Sequence, residues 1–136
     1  MSGTELVCLA LTVYFEARSE SIEAQAAVAQ VVLNRVADDR YPDTVCDVVQ
    51  EGSPPGDALP SSHHCQFSWR CDGLSDRPKN TDAYFRAMVV AEWVALGKLD
   101  AGIGKATLYH ADYVSPFWAT KYRQVAVVGR HIFYEA

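Results

Sequence analysis

Among the side chains of this sequence, Glu16 has the setting best suited to acid chemistry. It follows Tyr14 and Phe15 at the end of the apolar run LVCLALTVYFEA, where a carboxyl is partly withdrawn from water. Burial disfavours the charged form and so raises a carboxyl pKa. A Glu held protonated near neutral pH is what glycosidic cleavage needs, because a sugar oxygen leaves poorly until it receives a proton. The spacing leaves a second reading open, in which Glu16 pairs with Arg18 or Arg35 or simply faces water. Two other carboxylates are candidates to assist it. Glu20 would stack beside Glu16 if the helix ran on, raising one of the two by like-charge repulsion; otherwise it caps the following helix near its positive end. Asp112 lies in YHADYVSP, where a carboxylate usually forms a turn, and it ranks below Glu20.

Several helices are expected to position these groups. The first opens at Thr4 as N-cap, with Glu5 in its first turn, and runs to about Arg18. Ser19 to Ser21 interrupt it. Ile22, Ala26, Ala29, Leu33 and Val36 then recur at three- and four-residue spacing, which predicts a second helix ending at Val36. Asp43 or Thr44 caps a short third helix through VCDVVQ. A long shaped loop follows from Gly52 to Asn80, rich in Gly, Pro, Ser and Asp but holding the aromatic island CQFSW. Thr81 is expected to cap a fourth helix that buries Phe85, Met88, Val89 and Leu96 on one face together with Glu92, and ends at Gly97. Beyond it TLYH is short and extended, Ser115 and Pro116 start a helical turn, and two short strands flank Gly129-Arg130 as a hairpin. The fold class is α+β, mostly helical, with a small C-terminal hairpin.

The 136 residues, 49% of them hydrophobic, suit a single domain spanning 1–136 that folds without a metal or disulfide staple. Twelve Lys and Arg against seventeen Asp and Glu give a net charge of -5 with no basic run, which disfavours nucleic acid as a partner. No apolar stretch approaches the roughly 20 residues of a membrane span, so membrane insertion is not expected. The opening Met1-Ser-Gly-Thr-Glu lacks the basic and apolar segments of a secretory signal.

The four cysteines form no CxxC pair, and His63 and His64, adjacent in sequence, cannot easily reach one ion, so no metal site and no cofactor are expected. Cys65 and Cys71 would close a small ring around QFSWR, leaving Cys8 and Cys46 as a second pair; four buried thiols are the alternative. His131 is read as satisfying a core hydrogen bond. Ser53 and Ser68 lack the GxSxG setting of an exposed nucleophile.

Five blocks occur in order along nearly the whole chain: CLALTVYFEARSESIEAQAAVAQVVLNRV, YPDTVCDVVQ, CQFSWRCDG, YHADYVSPFWA and VGRHIFYEA. Together they resemble the SleB/CwlJ family of bacterial cell wall hydrolases, which includes enzymes that degrade the spore cortex. The resemblance implies a lysozyme-like fold and places the family's catalytic Glu, in the block reading FEARSE, on Glu16. It implies cleavage of peptidoglycan glycan strands at the β-1,4 bond between N-acetylmuramic acid and N-acetylglucosamine, by lytic transglycosylation or by muramidase hydrolysis.

By the same resemblance Gln66, Phe67 and Ser68 line the cleft, where amide, hydroxyl and aromatic groups suit sugars. Trp69 is read either as a stacking surface for a pyranose or as core beneath the loop. Tyr109 and His110 match the family's YH element, in which a phenol and an imidazole position the muramyl group or bond the catalytic carboxyl. Asp112 lies in the same block. The family more often has HYH, and Leu108 stands where the first His would be. Action as a monomer at the bacterial wall is expected, with synthesis in the cytoplasm and delivery by a phage-like particle as one route. The alternatives are a stem-peptide amidase or peptidase using a metal or a Cys/His pair such as Cys65 or Cys71 with His110, and a wall-binding module without catalysis.

Overall fold

The computed structural model describes residues 1–51 and 65–136. Four α-helices precede a small antiparallel sheet: α1 (Gly3–Ala17), α2 (Ile22–Val36), α3 (Val45–Val49), α4 (Thr81–Ala95), then β1 (Leu108–Ala111), β2 (Arg123–Val128) and β3 (His131–Glu135). Short 3-10 turns at Ser68–Arg70 and Phe117–Thr120 lie in the connections.

Each helix start is fixed by a short polar side chain that accepts an otherwise unpaired N–H. Ser2 accepts from the Glu5 N–H at 3.1 Å, so α1 begins slightly ahead of the expected Thr4. Ser21 caps α2, Thr44 caps α3, and Asn80, one residue before the expected Thr81, caps α4. The Glu5 carboxylate reaches across to accept from the Val45 and Cys46 N–H groups at 3.0 and 2.9 Å, adding negative charge at the positive end of α3. Beside it Cys8 is bonded to Cys46, fastening α1 to α3.

The alanine-rich α2 is buried almost all round because it separates two apolar layers. Ala26, Ala29 and Val32 pack with α1, α3 and α4, whereas Ala27 and Val31 pack with Ile103, Ala106 and Phe133 on the sheet side. The buried face of α4 differs from the expected one. It consists of Ala83, Ala87, Val90, Ala91 and Val94; Met88 packs against the core as expected, while Phe85 is 71% exposed and Leu96 59%. Small side chains let α4 approach α1 closely, and proximity rather than side-chain bulk selects the inward face.

In the sheet β3 is central, in the order β1-β3-β2, so β1 adds a strand to the expected hairpin. Tyr109 lies opposite Phe133, and His110 opposite Ile132. Because successive side chains alternate between faces, this register turns Tyr109 toward the helices and His110 away from them. Gly129 turns the hairpin with φ +58, and a Cβ there would lie 3.2 Å from the Ala24 Cβ. Only glycine meets both demands without strain.

Candidate active site

Glu16 stands one residue before the end of α1, where the chain breaks at Ser19–Ser21 to enter α2. That break brings the helix end against the inner face of the sheet. There Tyr109 donates its hydroxyl hydrogen to Glu16 Oε1. No hydrogen bond from the described residues occupies the other carboxyl oxygen. Burial raises the Glu16 pKa above the ordinary carboxyl value, while the Tyr109 hydrogen bond and the positive charge of Arg35 pull it down. Burial and the neighbouring carboxyl hold the Tyr109 phenol well above its ordinary value, so it remains a donor throughout the useful pH range.

Arg35 comes from the last turn of α2 and is 2% exposed. Its Nε donates to the Thr107 carbonyl at 2.7 Å. Its guanidinium lies over the rings of Tyr41 and Phe67, 5.2 and 5.4 Å from their centroids. Burial lowers the Arg35 pKa, and Tyr41, Tyr109, Glu51 and Glu16 oppose that change. An arginine starts so far above neutrality that it stays charged. One Glu51 carboxyl oxygen and the Arg35 Nη1 are buried without a hydrogen-bond partner among the described residues.

The remaining expected site residues are distributed differently. Glu20 is not stacked on Glu16, because α1 has ended; Ser21 rather than Glu20 caps α2, and the Glu20 carbonyl accepts from Gln25 Nε2. Among the described residues no like charge takes part in raising Glu16; burial does it. Asp112 follows β1, where its carboxylate contacts Arg130 at 3.4 Å and its N–H bonds the Arg130 carbonyl, a turn role. His110 lies on the far face of the sheet, bonded through Nε2 to the Tyr134 hydroxyl and through Nδ1 to the Ala111 carbonyl. Of the YH pair, therefore, only the phenol touches Glu16.

Phe67 and Trp69 are 2% and 5% exposed, which closes their faces to a sugar in this structure. Trp69 instead stacks on Phe15 with centroids 4.9 Å apart, the core role that was its second reading. Gln66 and Ser68 are exposed. Gln66 shares a cavity of about 360 Å³ with Arg40, Tyr41, Leu108, Trp118 and Tyr122. His131 is buried, but its Nδ1 has no hydrogen-bond partner among the described residues, so the expected core bond is not made there; its ring packs edge-on against Tyr109.

Cys65 is bonded to Cys71. With both sulfurs in that bond, neither is a thiolate nucleophile for the Cys/His alternative. His63, His64 and Ser53 lie outside the described residues. Arg35, Tyr41, Glu51 and Trp118 were not singled out as site residues from the sequence, although Arg35 had been weighed as an ion-pair partner of Glu16. A usable signal existed for Arg35, which continues the buried stripe of Ala24, Val28, Val31 and Val32 at helical spacing.

Known proteins resemble this chain in sequence and in fold. The spore cortex-lytic enzyme of Oceanobacillus iheyensis is 46% identical over 135 residues, covering 97% of this chain and 42% of that protein. The spore cortex-lytic enzyme of Bacillus subtilis is 28% identical over 134 residues, covering 98% and 38%. This chain therefore spans less than half the length of these relatives. Among solved structures, the catalytic domain of the germination-specific lytic transglycosylase SleB from Bacillus anthracis superposes with a TM-score of 0.75 at 28% identity, covering 99% of this chain and 97% of that one. The SleB catalytic domain of Bacillus cereus gives 0.70 at 27% identity, covering 98% and 91%. The cell wall hydrolase family model matches residues 19–134, and with that match the chain belongs to the cell wall hydrolase family.

Proposed function

We propose that this protein cleaves the glycan strand of peptidoglycan between N-acetylmuramic acid and N-acetylglucosamine by lytic transglycosylation, with Glu16 as both acid and base. The observation that carries the reading is a carboxyl with one oxygen fixed by Tyr109, the other free of described partners, and its acidity set by burial against Arg35. Among the described residues, no second carboxylate is one of the groups that perturb it. A hydrolytic muramidase ordinarily needs such a partner to activate water or stabilise the oxocarbenium ion. A transglycosylase does not, because the substrate supplies its own nucleophile. The name of the Bacillus anthracis structure, a lytic transglycosylase catalytic domain, supports the same choice.

In the first half of the reaction the protonated Glu16 gives its hydrogen to the bridging oxygen. The bond from that oxygen to the muramyl C1 breaks, and the N-acetylglucosamine leaves with a free 4-hydroxyl. In the second half the resulting Glu16 carboxylate takes the hydrogen of the muramyl 6-hydroxyl as that oxygen bonds to C1. The product carries a 1,6-anhydro ring, Glu16 is protonated again, and no water is consumed.

Mass spectrometry of fragments released from purified sacculi tests this directly. Anhydro ends, each lighter by one water than a reducing end, are expected. Glu16→Gln keeps the shape but cannot donate the proton, and is expected to release nothing while still binding sacculi. Reducing ends from the native chain would replace transglycosylation with hydrolysis, and digestion by Glu16→Gln at the native rate would remove Glu16 from the mechanism.

A further inference from the structure

Phe67 and Trp69, the rings expected near a sugar, are buried. Rings that do reach the surface gather around the cavity of about 360 Å³ that Gln66 shares with Tyr41, Leu108, Phe117, Trp118 and Tyr122. Phe117 is 81% exposed and Tyr122 39%, and Gln66 is exposed in the same wall. An amide bonds hydroxyl and N-acetyl groups, and aromatic faces cover the apolar faces of a pyranose.

Trp118 is held in place by the outer face of the sheet. Its ring meets Tyr134 edge-on at 5.3 Å and His110 at 5.6 Å, and His110 Nε2 is hydrogen-bonded to the Tyr134 hydroxyl at 2.7 Å. His110, which does not touch Glu16, thus supports the wall of this cavity. A ring fixed before the ligand arrives loses little freedom on binding it.

The cavity and Glu16 are linked through β1 and Arg35. Leu108, Tyr109 and His110 are consecutive, so Tyr109 bonds Glu16 from the inner face of the strand while Leu108 and His110 serve the cavity from the outer one. In the order β1-β3-β2, β1 is an edge strand, and among the described residues no strand covers the border between its two faces. On the helix side Arg35 acts on the charge of Glu16 and lies 5.2 Å from the ring centroid of Tyr41, which lines the cavity. A polysaccharide laid across the free edge of β1 reaches both places.

We propose that this cavity binds an N-acetylhexosamine unit of the same glycan strand, away from the bond that Glu16 breaks. Phe117 and Trp118 cover the sugar ring, and Gln66 bonds its polar groups. The inference rests on the glycan-strand reading above and adds to it a preference for strands long enough to occupy both places. A short strand held only at Glu16 gains nothing from rings on the outer face.

The test uses the full chain carrying Glu16→Gln, so that strands are bound without being consumed. The strands are stripped of their peptides by an amidase, which leaves sugar as the only ligand, and affinity is measured against strand length. It is expected to rise about tenfold once strands span both places, the effect of one well-placed aromatic contact. Adding Trp118→Ala or Phe117→Ala is expected to remove that rise, and Trp118→Phe to keep most of it. The indole N–H resonance of Trp118, assigned by its absence from the Trp118→Phe protein, should move on adding long strands and stay in place with short ones.

Affinity that ignores strand length would overturn the proposal, as would no binding of stripped strands or an undiminished rise in both alanine variants. Phe117 is exposed enough that its loss leaves the fold intact, so that variant reads the site even where Trp118→Ala fails to fold. A length dependence confined to peptide-bearing strands would also overturn it, by assigning the cavity to the stem peptide. Failure of the catalytic reading is distinct: it would appear as digestion by the Glu16→Gln protein or as reducing ends released by the native chain.

Discussion

Replacing Tyr109 by Phe removes one hydrogen-bond donor and little else, since the ring would keep its packing against Phe133 and His131 at centroid distances of 5.5 and 5.4 Å. The lost group bonds a carboxyl whose pKa it lowers. A hydrogen bond to a charged group contributes about 1.5–3 kcal/mol, which is roughly a ten- to hundredfold shift in the ratio of protonated to ionised Glu16. The shift is toward the protonated form, because the phenol stabilises the carboxylate. The alkaline limb of activity should therefore move to higher pH, each tenfold in that ratio displacing it by one pH unit. The maximal rate should fall about tenfold as well, because the carboxyl loses the contact that orients its free oxygen. Release of soluble fragments from sacculi across the pH range measures the limb, and the carboxyl carbon resonance of Glu16 reports the ionisation independently. A limb that stays in place, or moves to lower pH, would refute the argument that Tyr109 acts through the charge on Glu16.

Two stability measurements follow from the same geometry. Gly129→Ala places a Cβ on a backbone at φ +58 and 3.2 Å from the Ala24 Cβ, and should lower stability by about 1–2 kcal/mol in denaturant unfolding; an unchanged midpoint would contradict the tight turn. Glu16→Gln should raise the thermal midpoint relative to the native chain, and more so as pH increases. The folded pKa of Glu16 lies above its unfolded value, so its contribution to stability is full below the ordinary carboxyl range and is lost as pH rises through the folded value. The two midpoints should converge in acid, and a gap that instead widened in acid would reverse the sign assigned to Glu16.

Local signals carried much of the architecture. The three- and four-residue spacing in α2, the serine break after α1 and the glycine between β2 and β3 act over a few residues, and sequence shows such features directly. The inward face of α4 does not follow side-chain bulk, which is the signal the sequence offers; Ala83, Ala87 and Ala91 are buried because they are small enough for α1 to come near. The site divided along similar lines. That Glu16 is withdrawn from water was legible from its place after Tyr14 and Phe15, but the roles of its neighbours depend on pairings far apart in the chain. Tyr109 and His110 are adjacent, and the register of β1 on β3 alone turns one toward Glu16 and the other away. Phe67 and Trp69 have the same composition whether they meet a sugar or a core, and the partners that bury them, Arg35 and Phe15, are remote in sequence.

A single carboxyl that must first give a proton and then take one works best with an acidity near the working pH, since a group too weak or too strong an acid is slow in one half of the cycle. Burial at the end of α1 by itself favours the protonated form of Glu16. Tyr109 and Arg35 oppose burial from different parts of the fold, the sheet and α2, so the balance depends on how these two elements meet α1. The two groups act differently. Tyr109 binds one carboxyl oxygen and so fixes direction as well as charge. Arg35, held by the Thr107 carbonyl and lying over Tyr41 and Phe67, influences Glu16 through its field. Arg35 is itself buried, and Tyr41, Tyr109, Glu51 and Glu16 offset part of the lowering that burial imposes on it. The cation beneath the site and the carboxyl within it therefore depend on one another, so a change at either is felt at both.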